Sequence, residues 1–237
     1  MPQKEFIGRG VRLTVQAADR FYRGVSMCVV PKESIQYSSQ RRRGDEAIDR
    51  LGTKVQIVRA GITVAFSSAL LAPINRLTTP QTIAIVREIW IKAGDDIQTG
   101  DYLVDIKRSD HFIYLAEREY VNEDEIVGKG GIGVKCNQTI GIFRNVEKPT
   151  GAGSVKTQFE AVQRDVPVGL EFIRGGLREQ EPGFYRTSTH RMFIPAYHDL
   201  REMDRIKVGE DYLRIDSVDK VTFPGVAHCA VTRDNRR

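Results

Sequence analysis

From residue 54 onward the chain is written in apolar runs too short and too rich in β-branched residues to make helices. KVQIVRAGITVAF, TIAIVREIWI, DYLVDI, HFIYLA, TIGIF, VGLEFI, HRMFIPA, DYLRID and HCAVT follow one another, several alternating apolar with polar, and VRLTVQ and SMCVVP precede them. Alternation with a period of two suits a pleated strand with one face buried, and Gly, Pro, Asp and Asn punctuate the runs where turns belong. Helical patterning is confined to Asp45 to Leu51 and a second short stretch from Asp199 to Met203. Many short strands without intervening helices exclude a parallel βαβ architecture and predict a mainly β fold: two small β-barrels with long loops and at most short helices.

Two barrels are expected because the pattern echoes itself. Asp95, Ile97, Gly100 and Tyr102 stand in the order Asp-x-Ile-x-x-Gly-x-Tyr, and Asp204, Ile206, Gly209 and Tyr212 repeat it with one extra residue in the turn. Read as a hairpin, each copy sends its Ile inward, turns at glycine and lays its Tyr against the partner strand. A looser echo ends a strand in Arg-x-Gly at Arg59 to Gly61 and at Arg174 to Gly176. The Pro/Gly-rich segment from Glu147 to Thr157 is the natural boundary, giving an N-terminal barrel over 1–148 and a C-terminal barrel over 149–237.

With 237 residues and 41% hydrophobic composition, both domains have enough apolar side chains for a core. No apolar run approaches the roughly 20 residues of a membrane span, and the N-terminus has no apolar segment followed by a cleavage site. No membrane association and synthesis in the cytoplasm are therefore expected. Cys28, Cys136 and Cys229 are widely spaced and odd in number, which suits idle thiols rather than a metal or redox pair. The net charge of +5 permits an acidic or nucleic-acid partner.

The second half carries an ordered succession: Thr150 to Gly153, an aromatic strand from Phe159 to Val162, a Val-Pro-Val strand from Val166 to Leu170 and an arginine-rich tether from Leu177 to Arg186. A strand from Arg191 to Ile194, the Asp204–Tyr212 hairpin and a closing strand to Val231 complete it. This succession resembles the head-closure (stopper, head-tail connector) proteins of tailed bacteriophages over roughly residues 150 to 234. The resemblance implies a non-enzymatic structural protein of the virion neck, a homo-oligomeric ring of six or twelve copies that closes the capsid. It further implies portal, adaptor and tail proteins as partners, with packaged DNA in the lumen. Family members are about half this length with a single barrel, so the N-terminal half reads as a divergent repeat. That departure leaves other tail or baseplate structural roles open, along with a nucleic-acid-binding β-barrel unconnected to phage.

Arg41, Arg42 and Arg43 are the densest basic run and are expected on a loop, touching either DNA phosphates or a neighbouring subunit. Segments Gly24 to Gly44, Glu119 to Gly133 and Gly175 to Arg186 are expected as docking loops. Gly128 to Gly133 satisfies G-x-G-x-x-G, but without a preceding strand or following helix it reads as a flexible loop. His111, His190, His198 and His228 lack metal-ligand spacing, and no catalytic, cofactor or metal residues are assigned. VREIWIKAGDDIQTGDYLVDI also resembles a biotinyl/lipoyl hairpin, yet Ser109-Asp110-His111 stand where a carrier needs its lysine. A nucleic-acid-binding barrel would want aromatics interleaved with basic residues, and no single strand face shows them.

Overall fold

A computed structural model describes residues 37–73, 85–122, 125–150, 154–173 and 187–236. The runs VRLTVQ and SMCVVP and the tether from Leu177 to Arg186 lie outside these residues. No helix among the described residues is long and apolar enough to cross a membrane.

The fold is mainly β, with two closed six-stranded antiparallel barrels. The first comprises β1 (Thr53–Arg59), β2 (Ile62–Pro73), β3 (Val86–Ile91), β4 (Tyr102–Asp105), β5 (His111–Asn122) and β6 (Glu125–Lys135). The second comprises β7 (Gln138–Thr150), β8 (Ser154–Phe172), β9 (His190–Pro195), β10 (Arg205–Val208), β11 (Asp211–Asp219) and β12 (Val226–Arg233). Around the first barrel the order is β1-β2-β3-β6-β5-β4, and around the second it is β7-β8-β9-β12-β11-β10, which is the same circuit six strands later. Each barrel closes over its own apolar interior, Val55, Ile57, Ile89, Ile91 and Leu103 in one and Ile140, Ile142, Met192, Ile194 and Ile206 in the other.

Only Cys136 and Asn137 separate the barrels. The expected boundary from Glu147 to Thr157 instead falls on the β7–β8 hairpin, and residues 138–148 belong to the second barrel. The reason is closure: without β7 pairing β10 on one side and β8 on the other, the second sheet would keep two open edges. The expected boundary therefore lies within a domain, with Thr150 on β7 paired to Ser154 on β8.

The duplication is real, but its register differs from the sequence echo. β3 and β4 are not neighbours, so Asp95 to Tyr102 is a connection rather than a hairpin, whereas Ile206 and Tyr212 do lie on the β10–β11 hairpin with Gly209 at its turn. Matching strand for strand makes Asp101 equivalent to Asp204, Leu103 to Ile206, and Gly100 to Met203. Arg59 then corresponds to Arg144 on β7 rather than to Arg174. The true signature is apolar-x-Ile-x-Arg on the first strand, Val55 to Arg59 and Ile140 to Arg144, followed later by Asp-apolar-x-x-x-Asp before the fourth strand, Asp96 to Asp101 and Asp199 to Asp204.

Each signature forms one clamp. Arg59 Nε and Nη2 donate to the two carboxylate oxygens of Asp101 at 3.0 and 2.9 Å, and Arg144 grips Asp204 at the same two distances. Arg59 also reaches the Asp96 carbonyl at 3.4 Å, and Arg144 the Asp199 carbonyl at 2.7 Å. Asp101 accepts the Gln98 backbone N–H at 2.8 Å, and Asp204 that of Arg201 at 3.0 Å, which folds the connection into a tight loop. Gly100 and Met203 end that loop at positive φ, 92° and 70°. Ile97 and Leu200, each 2% exposed, plug the barrel behind it.

The helix α1 (Tyr37–Leu51) starts eight residues before the expected Asp45 and so takes up Arg41, Arg42 and Arg43, correcting their placement on a loop. Its buried Ile48 faces the first barrel, and Asp49 binds Lys92 at 2.7 Å and Ser68 Oγ at 2.7 Å. Lys92 and Ser68 hold the Asp49 carboxyl down at about 2. Gly52 admits no side chain, because a Cβ there would lie 2.4 Å from the Ile48 carbonyl oxygen. The G-x-G-x-x-G segment is not a loop either: it forms most of β6. Gly131 leaves room for the buried Tyr114 ring, whose hydroxyl donates to the Gly130 carbonyl at 3.0 Å, and Gly133 leaves room for Ile89.

Replacing Arg59 or Arg144 with Ala leaves a carboxylate that is 3% exposed without its counter-charge. Each variant is expected to lose on the order of 3 kcal/mol, read from chemical-denaturation midpoints, with an exposed Arg42→Ala control nearly unchanged.

Candidate docking surfaces

Among the described residues, geometry that can act on other molecules includes the joint between barrels, the one-sided edge of β2, and a basic-aromatic face on the second barrel. The joint is built from outward residues of the first barrel, Tyr102, Ile113, Leu115 and Val134, packed against Phe193, Val226 and Phe223 of the second. Tyr102, 4% exposed, donates its hydroxyl to the Pro167 carbonyl at 2.7 Å across the joint. Asn137 closes it with side-chain bonds to both the N–H and the carbonyl of Leu170, each 2.8 Å. Gly100 and Gly225 approach so closely that a Cβ on Gly100 would lie 2.2 Å from the Gly225 carbonyl oxygen. Satisfied hydrogen bonds and apolar contact on this scale make the pair of barrels one packed body.

Two histidines belong to this joint. His198 bonds Gln163 through Nδ1, with Nε2 3.4 Å from the Tyr102 hydroxyl, and His228 stacks on Phe193 at 4.6 Å with the rings nearly parallel. Burial pushes both imidazoles down to about 4, and for His228 the charge of Arg191 adds to burial while Asp219 opposes it. Burial likewise raises the thiols, Cys229 to about 12 and Cys136 further, so neither is a ready nucleophile at neutral pH. His111 meets the Tyr102 ring edge to face at 6.1 Å, His190 meets Phe172 at 5.4 Å, and among the described residues no three His, Cys, Asp or Glu side chains converge as a metal would require.

The β2 edge arises from stagger in the barrel. β2 pairs β1 from Ile62 to Ala69, but β3 joins it only from Ala69 to Pro73. Ile62 to Ser68 therefore has a strand on one side only among the described residues. Ile62, Val64 and Phe66 point outward from this stretch, 69%, 43% and 71% exposed, while Ala65 turns toward the core. The sequence ITVAFSS contains no charge and no proline, the two devices that ordinarily blunt an edge.

On the third surface basic and aromatic residues meet across strands, which the reading of single strand faces does not address. The sheet brings together side chains far apart in sequence: the Arg205 guanidinium lies 3.8 Å from the Phe159 ring and 5.2 Å from Tyr212, and Arg236 lies 5.1 Å from Phe159. Phe143 meets Tyr212 edge to face at 6.5 Å. Asp234, 1% exposed at its side chain, binds Arg205 at 2.7 Å and Arg236 at 2.8 Å, so the guanidiniums are already satisfied and already occupy the ring faces.

Of the sequence-derived candidates, Arg42 makes an i,i+4 bridge to Glu46 at 2.9 Å on the exposed helix face, and Arg43 is exposed beside it. Asp95, Ile97 and Gly100 serve the first barrel, and Asp204, Ile206, Gly209 and Tyr212 the second. Asp95 accepts the Ser67 hydroxyl at 2.5 Å, a local tie rather than half of a hairpin. Within Glu119 to Gly133 the described residues pair along β5 and β6, from Glu119 with Lys129 to Asn122 with Glu125, instead of forming a loop. The β4–β5 turn runs from Ile106 to Asp110 and carries Lys107 as well as Ser109 and Asp110. What sequence reading missed is the β2 edge, since only sheet stagger shows which residues of a strand lack a second neighbour.

The joint sets a pH dependence. Both imidazoles titrate lower in the folded chain than their ordinary 6.5, so the unfolded chain binds more protons between about 6.5 and 4. Stability is full above 6.5 and is lost as pH falls toward 4. Calorimetric melting temperature is expected to drop over that interval, and His228→Phe, which keeps the stack on Phe193, is expected to flatten part of the drop. No protein-family model matches this chain, and no curated protein sequence matches it.

Proposed function

We propose that this chain is a non-enzymatic structural subunit that assembles with copies of itself into a ring, as in the head-closure proteins of tailed phages, whose β-barrel succession its second half resembles. The observation that carries the reading is the uncharged, one-sided edge of β2 with Ile62, Val64 and Phe66 exposed along it. An edge of this kind invites a strand or apolar surface from another chain, and in a monomer it would be an aggregation site. The packed joint supports the same reading, because heterologous contacts close into a ring only if each subunit holds a fixed angle between its two contact surfaces. Docking by shape makes no demand for a reactive centre, and the two Arg-Asp clamps are spent on folding.

A nucleic-acid-binding barrel is the second reading, favoured by the Arg205, Phe159 and Tyr212 face. The ring faces there are filled by the protein's own guanidiniums, so base stacking would first have to displace them, and the structural reading is preferred.

Mass photometry and negative-stain imaging of the purified chain test the proposal. Closed particles of six or twelve copies are expected, and Val64→Lys with Phe66→Arg is expected to give monomers with an unchanged melting temperature. A chain that stays monomeric at all attainable concentrations, or particles indifferent to the double substitution, would refute it.

A further inference from the structure

The first barrel is open at the end where β1, β3 and β5 begin, and the opening is a cavity of about 590 Å³. Its floor is apolar, formed by Ala69, Leu71 and Phe112, and its rim is cationic, formed by Lys54, Arg87, Lys107, Arg108 and Lys135. The carboxylates in the same opening are Asp105 and Asp110, and both are engaged. Asp105, 5% exposed, accepts the backbone N–H groups of Lys107 and Arg108 at 2.9 and 3.1 Å, and Asp110 binds Lys135 at 2.8 Å. Lys107 and Arg108 are exposed and have no carboxylate within salt-bridge distance among the described residues.

The turn that presents these two cations is fixed in place. Besides the two bonds to the Asp105 side chain, the Ser109 N–H donates to the Asp105 carbonyl at 2.7 Å, and the Ile106 N–H donates to the Lys54 carbonyl on β1 at 3.0 Å. Ser109 completes the turn at a φ of 57°. With the turn backbone already held, an arriving anion has only the Lys107 and Arg108 side chains to order.

The second barrel supplies an internal comparison. At the positions equivalent to Lys54 and Arg87 stand Thr139 and His190, and the turn equivalent to Lys107-Arg108 is the two-residue Gly209-Glu210, which is acidic. The same circuit of strands thus closes without the cationic rim. The rim is an addition to the first barrel rather than a requirement of the fold.

We propose that this opening binds a phosphate-bearing ligand, its phosphates against Lys107 and Arg108 and its apolar part against Phe112 and Leu71. The volume falls within the ordinary range for small-molecule sites, roughly 300 to 1,000 Å³. Several cations against carboxylates that are already paired suit a multiply charged anion better than a single carboxylate. Free nucleotides and the phosphates of a polynucleotide backbone share this chemistry. The site is independent of self-association.

Isothermal titration calorimetry with the full chain at low salt tests the site, using ATP as one probe and short single-stranded DNA as the other. Lys107→Glu with Arg108→Glu, both exposed and therefore harmless to folding, is expected to weaken binding at least about tenfold, while Arg42→Ala with Arg43→Ala on α1 leaves it unchanged. Binding of ATP lost in the turn variant identifies a free phosphate ester as the source. Binding of DNA alone, lost in the same variant, identifies the polynucleotide backbone. Failure of both probes to bind, or binding that the turn variant leaves intact, overturns the proposal.

Discussion

The bidentate pair between an arginine at the end of the first strand and an aspartate just before the fourth organises each barrel. Arg59 with Asp101, and Arg144 with Asp204, join segments 42 and 60 residues apart in sequence, and in each case the aspartate is almost fully buried. A buried carboxylate without a partner is costly, so the pair favours the one circuit in which the fourth strand lies beside the first. The fourth strand's neighbour on its other side then follows, because Tyr114 and Ile215 donate to the carbonyls of Asp101 and Asp204 at 3.0 Å each. One ionic clamp and its backbone bonds thus fix three strands.

Although the barrels share this clamp, they differ on the face that would repeat the joint. Tyr102 and Ile113 on the first barrel are apolar and covered by the second barrel, whereas their equivalents Arg205 and Arg214 are charged, Arg205 bound to Asp234 and stacked on Phe159, Arg214 bound to Asp216. On the first barrel, the face that corresponds to the receiving surface around Phe193 is partly taken by α1 through Ile48 and Asp49. A repeated fold with unrepeated surfaces makes one joint and stops. Among the described residues, the β2 edge and the cationic opening of the first barrel are the surfaces left to face other molecules.

Much of the architecture was legible from residues alone. Short runs such as KVQIVR and HRMFIP gave strands, and their number and spacing gave barrels. The duplication was visible as well, but the likeness of Asp95-x-Ile-x-x-Gly to Asp204-x-Ile-x-x-Gly placed it six residues out of register. Local chemistry misled there, since a glycine followed by tyrosine suits both a loop that ends in a strand and a hairpin turn. Glycine misled again at Gly128 to Gly133, where flexibility was the natural expectation and room for the Tyr114 ring is the cause.

The sequence by itself determined that this chain makes strands, that it makes them twice, and that no membrane-spanning run interrupts them, because side-chain alternation and turn residues act over a few neighbours. Which strand closes which barrel, the grouping of Arg205, Phe159, Tyr212 and Asp234, the exposed edge at Ile62 to Phe66 and the ring of cations around Phe112 were decided only by tertiary structure. Each depends on pairing and stagger between segments tens of residues apart, and a one-dimensional pattern carries no record of the distances that folding abolishes.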